Sequence, residues 1–122
     1  MSVNKAILLG RVGKDPEIRD FDNGNKVANF SLATSETWKD KNTGEKKEQT
    51  EWHNIAVFGK LAEIVESYVK KGQELYVEGK IKTRYWEDQN GDKKYITEIV
   101  LNGFGDTLQM IGSKKQEDEP AF

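Results

Sequence analysis

Trp38, Trp52, Phe58 and Trp86 are the side chains whose chemistry stands out first, because each sits near cationic residues in an otherwise polar chain. Trp86 follows Lys80, Lys82 and Arg84 at every second position, so in an extended strand these four share one face, opposite Leu75, Val77, Gly79 and Ile81. The same alternation sets Trp52, Asn54, Ala56 and Phe58 against His53, Ile55 and Val57. Trp38 opens a Lys-rich stretch. All four rings are therefore expected outside the core. Recurring exposed rings ask for a ligand with flat apolar faces, and the cations between them ask for anions. Nucleobases joined by phosphates offer both, and each base stacked on an aromatic is worth about 1–3 kcal/mol. A single Trp on a small domain more often caps the core or fills an oligomer contact. Here two strands arrive independently at an aromatic and basic outer face, which favours the ligand.

Those faces require strands to carry them. The first apolar run, Lys5 to Val12, is dense enough to be buried on both sides, and Glu17-Ile18-Arg19 reads as a short extension. A second strand runs from Lys26 to about Thr34, with Ala28, Phe30 and Leu32 alternating against Asn29 and Ser31. Residues 39–49 hold nothing that builds a core and predict an exposed charged hairpin arm with Asn42-Thr43-Gly44 at its tip. A third strand covers Thr50 to Phe58. From Lys60 to Lys71 the period changes: Leu61, Ile64, Val65, Tyr68 and Val69 form the stripe of an amphipathic helix, with Lys70-Lys71 late and Gly72 as the stop. The fourth strand, Gln73 to Trp86, turns at Asp88–Asp92 into the fifth, Lys94 to Leu101. The order β-β-β-α-β-β is that of a five-stranded OB-fold barrel with extended hairpin arms. Residues 1–112 make one domain, and residues 113–122 a short polar, acidic tail.

Composition removes most alternatives. The absence of Cys excludes disulfides, thiolate metal sites and cysteine nucleophiles, and a single His argues against a metal centre, so no metal or cofactor is expected. His53 has no partners for catalysis and takes the inward parity of a packed or interface residue; Tyr68 and Tyr76 are assigned to packing, Tyr76 at a contact between subunits. Asp15, Asp20, Asp22 and Asp106 could form a nuclease cluster but nothing favours it, so an OB-fold nuclease is the weaker alternative and no enzyme is expected. No apolar run spans a membrane, and residues 1–5 carry no secretory pattern, which makes a cytoplasmic, nucleoid-associated protein the expectation. The net charge of −2 gives no bulk attraction for nucleic acid. Without residues 113–122, which hold two Lys and three acids, the balance is still 17 basic against 18 acidic, so cationic character must be confined to a track beside the Trp residues.

The sequence resembles the bacterial-type single-stranded DNA-binding proteins from about Val3 to Gly112. The resemblance is carried by Leu9-Gly10-Arg11-Val12-Gly13-Lys14-Asp15-Pro16-Glu17, Ala33-Thr34-Ser35-Glu36-Thr37-Trp38, Glu48-Gln49-Thr50-Glu51-Trp52-His53, Phe58-Gly59-Lys60-Leu61-Ala62-Glu63, Tyr68-Val69-Lys70-Lys71-Gly72, Tyr76-Val77-Glu78-Gly79, Arg84-Tyr85-Trp86 and Tyr95. It implies an OB-fold homotetramer that wraps single-stranded DNA in replication, recombination and repair, with Trp38, Trp52, Phe58 and Trp86 stacking on bases. Lys41, Lys60, Lys71 and Arg84, with Lys80 and Lys82 on the same strand face as Trp86, are the candidates for phosphate contacts. His53 would support subunit contacts. The tail Glu117-Asp118-Glu119-Pro120-Ala121-Phe122 is similar to the acidic tip through which family members dock replication and repair proteins, with its Pro one place further inward and its linker shorter, a compactness that suits a phage or plasmid version. A primosome-type relative and an RNA-binding OB protein are the alternatives.

Overall fold

The computed structural model describes residues 1–21, 24–103 and 105–111. Seven strands and one helix follow in the order β1 (Ala6–Val12), β2 (Glu17–Asp20), β3 (Lys26–Lys39), β4 (Lys46–Phe58), α1 (Lys60–Tyr68), β5 (Glu74–Glu87), β6 (Lys93–Leu101) and β7 (Thr107–Ile111). Five of them close a barrel in the circuit β1-β3-β4-β6-β5 and back to β1, every pairing antiparallel except β4 with β6. This is the five-stranded OB-fold arrangement. β2 is added to the edge of β3, and β7 pairs with β5. β2 is the short extension read at Glu17-Ile18-Arg19, whereas β7 has no counterpart in the sequence reading.

The period of two decides what the barrel encloses. Phe30, Leu32, Ile55, Val57, Leu75, Val77, Ile99 and Leu101 point inward and are buried, with Val12, Ala28 and three helix-segment residues, Ala62, Val65 and Val69, completing the core. β1 differs from expectation: Leu8 and Val12 meet the core, while Ile7 and Leu9 are more than half exposed. A barrel strand has one inner face only, so an apolar run longer than that face leaves side chains outside.

Ile81 differs too, at 45% exposed despite sharing the parity of Leu75 and Val77. β5 pairs with β1 and β7 up to Gly79 and with β6 from Lys80 onward. At Gly79 the strand crosses so close to β6 that a Cβ would stand 2.6 Å from the Val100 carbonyl oxygen. Beyond that crossing β5 is paired with β6 alone, and its former inner face meets solvent from Ile81 outward.

Two hairpin arms result. β3 and β4 remain paired to Lys39↔Lys46, and β5 and β6 to Glu87↔Lys93. Because β4 and β6 are parallel neighbours joined at Asn54↔Glu98 through Val57↔Leu101, both arms leave the same end of the barrel. Their tips are built alike. Asp40 Oδ1 accepts the Asn42 N–H at 2.7 Å, Asp88 Oδ1 accepts the N–H groups of Asn90 and Asp92 at 2.9 Å, and Gly44 and Gly91 take the positive φ the turns require.

α1 ends at Tyr68, earlier than the periodicity predicts, because Val69 turns extended to bury itself in the core. Lys70 and Lys71 therefore lie beyond the last helical turn, and Tyr68 is exposed rather than packed. The Lys71 N–H instead donates to Asp15 Oδ1 at 2.8 Å, and the Gly72 N–H to the Val12 carbonyl at 2.8 Å, which ties this turn to β1.

Candidate nucleic-acid interface

Strand registers join the outer faces of five strands into one surface. Arg19 on β2 sits opposite Val27, Val27 opposite Phe58, Asn54 opposite Glu98, and Glu98 opposite Lys82. Paired residues lie on the same side of a sheet, so Arg19, Trp52, Phe58, Lys82, Arg84 and Trp86 share one face. A cleft of about 610 Å³ on this face is lined by Arg19, Phe21, Asn29, Phe58, Lys82 and Arg84 among others, and a second of about 440 Å³ adjoins it through Arg19, Asn29, Arg84 and Glu98.

The rings stand exposed on this scaffold: Trp52 at 59%, Trp86 at 45% and Phe58 at 39%. Trp52 is held by an unusual neighbour. A Cβ on Gly13 would stand 2.5 Å from its ring carbon Cζ3, so the indole lies directly against glycine backbone. Trp86 has the Arg84 guanidinium 5.7 Å from its ring centroid. Trp38, 47% exposed, belongs to the other side of its ribbon: Ala33 pairs with Trp52, so Trp38, five residues on, pairs with Lys47 on the reverse face. The structure thus brings three of the four rings to one surface and sets Trp38 on the arm behind it.

The cations differ in availability. Lys82 and Arg19 form no ion pair among the described residues. Arg84 donates from Nε and one terminal nitrogen to the two oxygens of Glu98 at 3.0 and 3.1 Å, while its side chain stays 61% exposed. That hydrogen-bonded pairing holds the guanidinium's proton more tightly still, so Arg84 is a permanent charge with its remaining N–H groups turned to solvent. Lys80 reaches the almost fully buried carboxylate of Asp106 at 3.8 Å and is partly occupied there. Lys41, at the tip of the β3–β4 arm, and Lys60 and Lys71, at the two ends of the helix segment, are exposed and line neither cleft, although the Lys71 backbone binds Asp15 at the rim of the smaller one.

The remaining expectations fall elsewhere. His53, half-buried, has its Nε2 2.9 Å from the Thr34 hydroxyl, beside the point where β3 parts from β1. The Tyr76 hydroxyl donates to Glu78, whose carboxylate Lys5 also approaches at 3.3 Å. This raises the tyrosine's pKa and, chiefly through the same bond, lowers the glutamate's. Asp15, Asp20 and Asp106 each have a separate partner, in the Lys71 N–H, Lys26 and Lys80. Asp22 and the tail residues Glu117, Asp118, Glu119, Pro120 and Phe122 lie outside the described residues.

The sequence model of the Single-strand binding protein family matches residues 3–111. The chain belongs to this family. A solved structure of Plasmodium falciparum SSB in complex with single-stranded DNA is similar to it with a TM-score of 0.80 and 42% identity, over 91% of this chain and 96% of that one.

Two parts of this family member's surface escaped the sequence reading. Arg19 lies on a strand too short to be recognised with certainty. Glu98 is 6% exposed on the outer face between Ile96 and Val100. A carboxylate at an alternating position of an apolar strand was the available signal, since such a group is buried only with a partner.

Proposed function

We propose that this single-strand binding protein holds single-stranded DNA along the outer face of β2, β3, β4, β6 and β5, independently of sequence and without catalysis. Bases would stack on Trp52, Phe58 and Trp86, and phosphates would meet Arg19, Lys82 and the outward N–H groups of Arg84. Trp38 and Lys41 on the β3–β4 arm, with Lys60 and Lys71, would extend the track. The observation that carries this reading is the continuous pleated face, on which exposed rings alternate with cations although the chain has a net charge of −2. Stacking supplies affinity that bulk charge does not. Family membership and the likeness to a DNA-bound relative support single-stranded DNA as the ligand, and replication, recombination and repair as the setting.

We further propose self-association, as a homotetramer. Residues Ala6–Leu9 of β1 pair with β5 alone, which leaves their other edge open among the described residues, and Ile7 and Leu9 are exposed next to Tyr76 and Glu78. An open edge beside exposed apolar side chains invites a second copy. His53 lies close to that edge. The acidic tail is proposed to dock genome-maintenance proteins.

The reading is tested by competition. Labelled oligo-dT bound to the protein should be displaced by unlabelled single strands at near-stoichiometric ratio and hardly at all by duplex of equal length. Stronger displacement by oligo-U RNA would favour an RNA-binding protein, and displacement by duplex would overturn the stacking mechanism.

A further inference from the structure

Tyr85 and Tyr95 are among the most exposed rings of the protein, at 74% and 70%, and play no part in the face just described. They are cross-strand partners on the β5–β6 arm, with ring centroids 6.1 Å apart and planes inclined by 36°. Parity sets them on the opposite side of the arm from Arg84 and Trp86, although Tyr85 is the residue between those two. This is the side that Ile81 and Ile99 continue down to the barrel interior, and above them Thr83 and Thr97 join hydroxyls at 2.9 Å. Tyr85 and Tyr95 therefore stand clear of the core, on a ribbon two strands wide, immediately behind the Trp86 platform.

We propose that Tyr85 and Tyr95 form a further base-stacking subsite for single-stranded DNA on the reverse of the β5–β6 arm. The inference rests on the DNA reading above and extends it from one face of the arm to both. Three observations commit the surface to this occupant. It is continuous with the Trp86 platform, separated from it only by the thickness of a two-stranded ribbon, so a flexible strand leaving Trp86 reaches it by passing over the arm's edge. Lys93, which forms no ion pair among the described residues, stands one register step away on the same side, opposite Glu87. Trp38 occupies the equivalent reverse face of the β3–β4 arm, and both arms leave the same end of the barrel, so each arm carries exposed aromatic surface behind its outer face. A hairpin stabilised only by a cross-strand tyrosine pair would need neither the neighbouring cation nor the matching ring on the second arm.

The test uses the full chain and two lengths of oligo-dT, roughly 8 and roughly 40 nucleotides, the first within the reach of one barrel face and the second long enough to pass round the arm. Binding is followed by intrinsic Trp fluorescence. Y85A/Y95A should weaken the long oligonucleotide at least about fivefold, the factor that one lost stack of modest strength implies, and the short one less than about twofold. Y85F/Y95F should bind both as the parent does. Failure of the parent protein to quench with either oligonucleotide would defeat the DNA reading as a whole, whereas normal quenching with identical long-strand affinity in Y85A/Y95A would overturn this subsite alone. Unchanged DNA binding with a smaller particle in sedimentation would assign the pair to a contact between copies, and also overturns it. Should Y85A/Y95A fold poorly, ultraviolet cross-linking of 5-iodouracil-substituted oligo-dT to the parent decides: attachment to a peptide carrying Tyr85 or Tyr95 supports the subsite, and attachment confined to other peptides refutes it.

Discussion

Replacing either member of the Arg84–Glu98 pair separates two roles that the pair combines. Glu98 is buried and Arg84 is mostly exposed, so the two deletions are not equivalent. Arg84→Ala strands a buried carboxylate that has lost two charge-assisted hydrogen bonds. The penalty for breaking a fully buried pair is about 3–5 kcal/mol, and solvent access on the Arg84 side reduces it here to about 2–3 kcal/mol. Glu98→Gln keeps the shape and one acceptor while leaving a guanidinium that water can solvate, at about 0.5–1.5 kcal/mol. For a domain of this length those losses lower the melting temperature by roughly 8–15 °C and roughly 2–8 °C, measured by thermal denaturation at equal protein concentration. Binding should move in opposite directions. Arg84→Ala removes a cation from the groove and weakens oligo-dT binding. Glu98→Gln removes an anion that faces the same phosphates. At about 6 Å and an effective dielectric constant of 20–80 that repulsion is roughly 0.7–2.8 kcal/mol before screening, so affinity should rise severalfold at low salt and less at high salt. A variant that is less stable yet binds more tightly is hard to obtain by general damage. A Glu98→Gln protein that is less stable than Arg84→Ala, or that binds more weakly than the parent, would refute the reasoning.

Gly13→Ala should leave the melting temperature nearly unchanged yet reduce fluorescence quenching by oligo-dT, because a Cβ 2.5 Å from the Trp52 ring pushes the indole from its seat while the side chain's free end can move aside; titration of the variant checks it. Lys82→Ala should make the slope of log affinity against log salt shallower by about 0.7, the value of one phosphate contact on a single strand. Glu78 titrates below its ordinary value chiefly because the Tyr76 hydroxyl donates to it, so its stabilisation is present above the unfolded pKa near 4.5 and is lost as pH falls through the folded value. The melting-temperature advantage of the parent over Tyr76→Phe should accordingly shrink as pH is lowered below that point.

Much of this was legible from alternation alone. The outward parity of Trp52, Phe58, Lys82, Arg84 and Trp86 survives in the structure because each lies in a regular ladder, where side-chain direction is a local property. Ile81 shows the limit of that rule. Its parity is inward, yet it is exposed, since burial depends on whether a barrel exists behind it and Gly79 marks where that support ends. Trp38 shows a second limit: alternation from Ala28, Phe30 and Leu32 sets it on their side of the ribbon, but only once β3 is seen to run unbroken to Lys39, and the charged stretch after Thr34 hides that continuation. Glu98 reaches the groove by pairing with Arg84, 14 residues away, Arg19 through Val27 and from there Phe58, and the Gly13–Trp52 seat joins β4 to the turn after β1. Such long-range contacts have no signature in spacing. The helix end was misplaced for a related reason, because burying Val69 in the barrel outweighs continuing the stripe to Lys71.

The central claim is that exposed rings on one pleated face, rather than net charge, hold the strand. Its most direct test is titration of oligo-dT against intrinsic Trp fluorescence for the parent, Trp52→Ala and Glu45→Ala, with magnesium added at the end to check that the strand stays intact. Losing one stacked base costs about 1–3 kcal/mol, so Trp52→Ala should bind roughly 5- to 150-fold more weakly, while Glu45→Ala, whose side chain pairs with Lys47 at the arm's tip, should stay within about twofold of the parent. Equal affinity in the two variants, or a parent protein whose fluorescence oligo-dT leaves unchanged, would contradict the account.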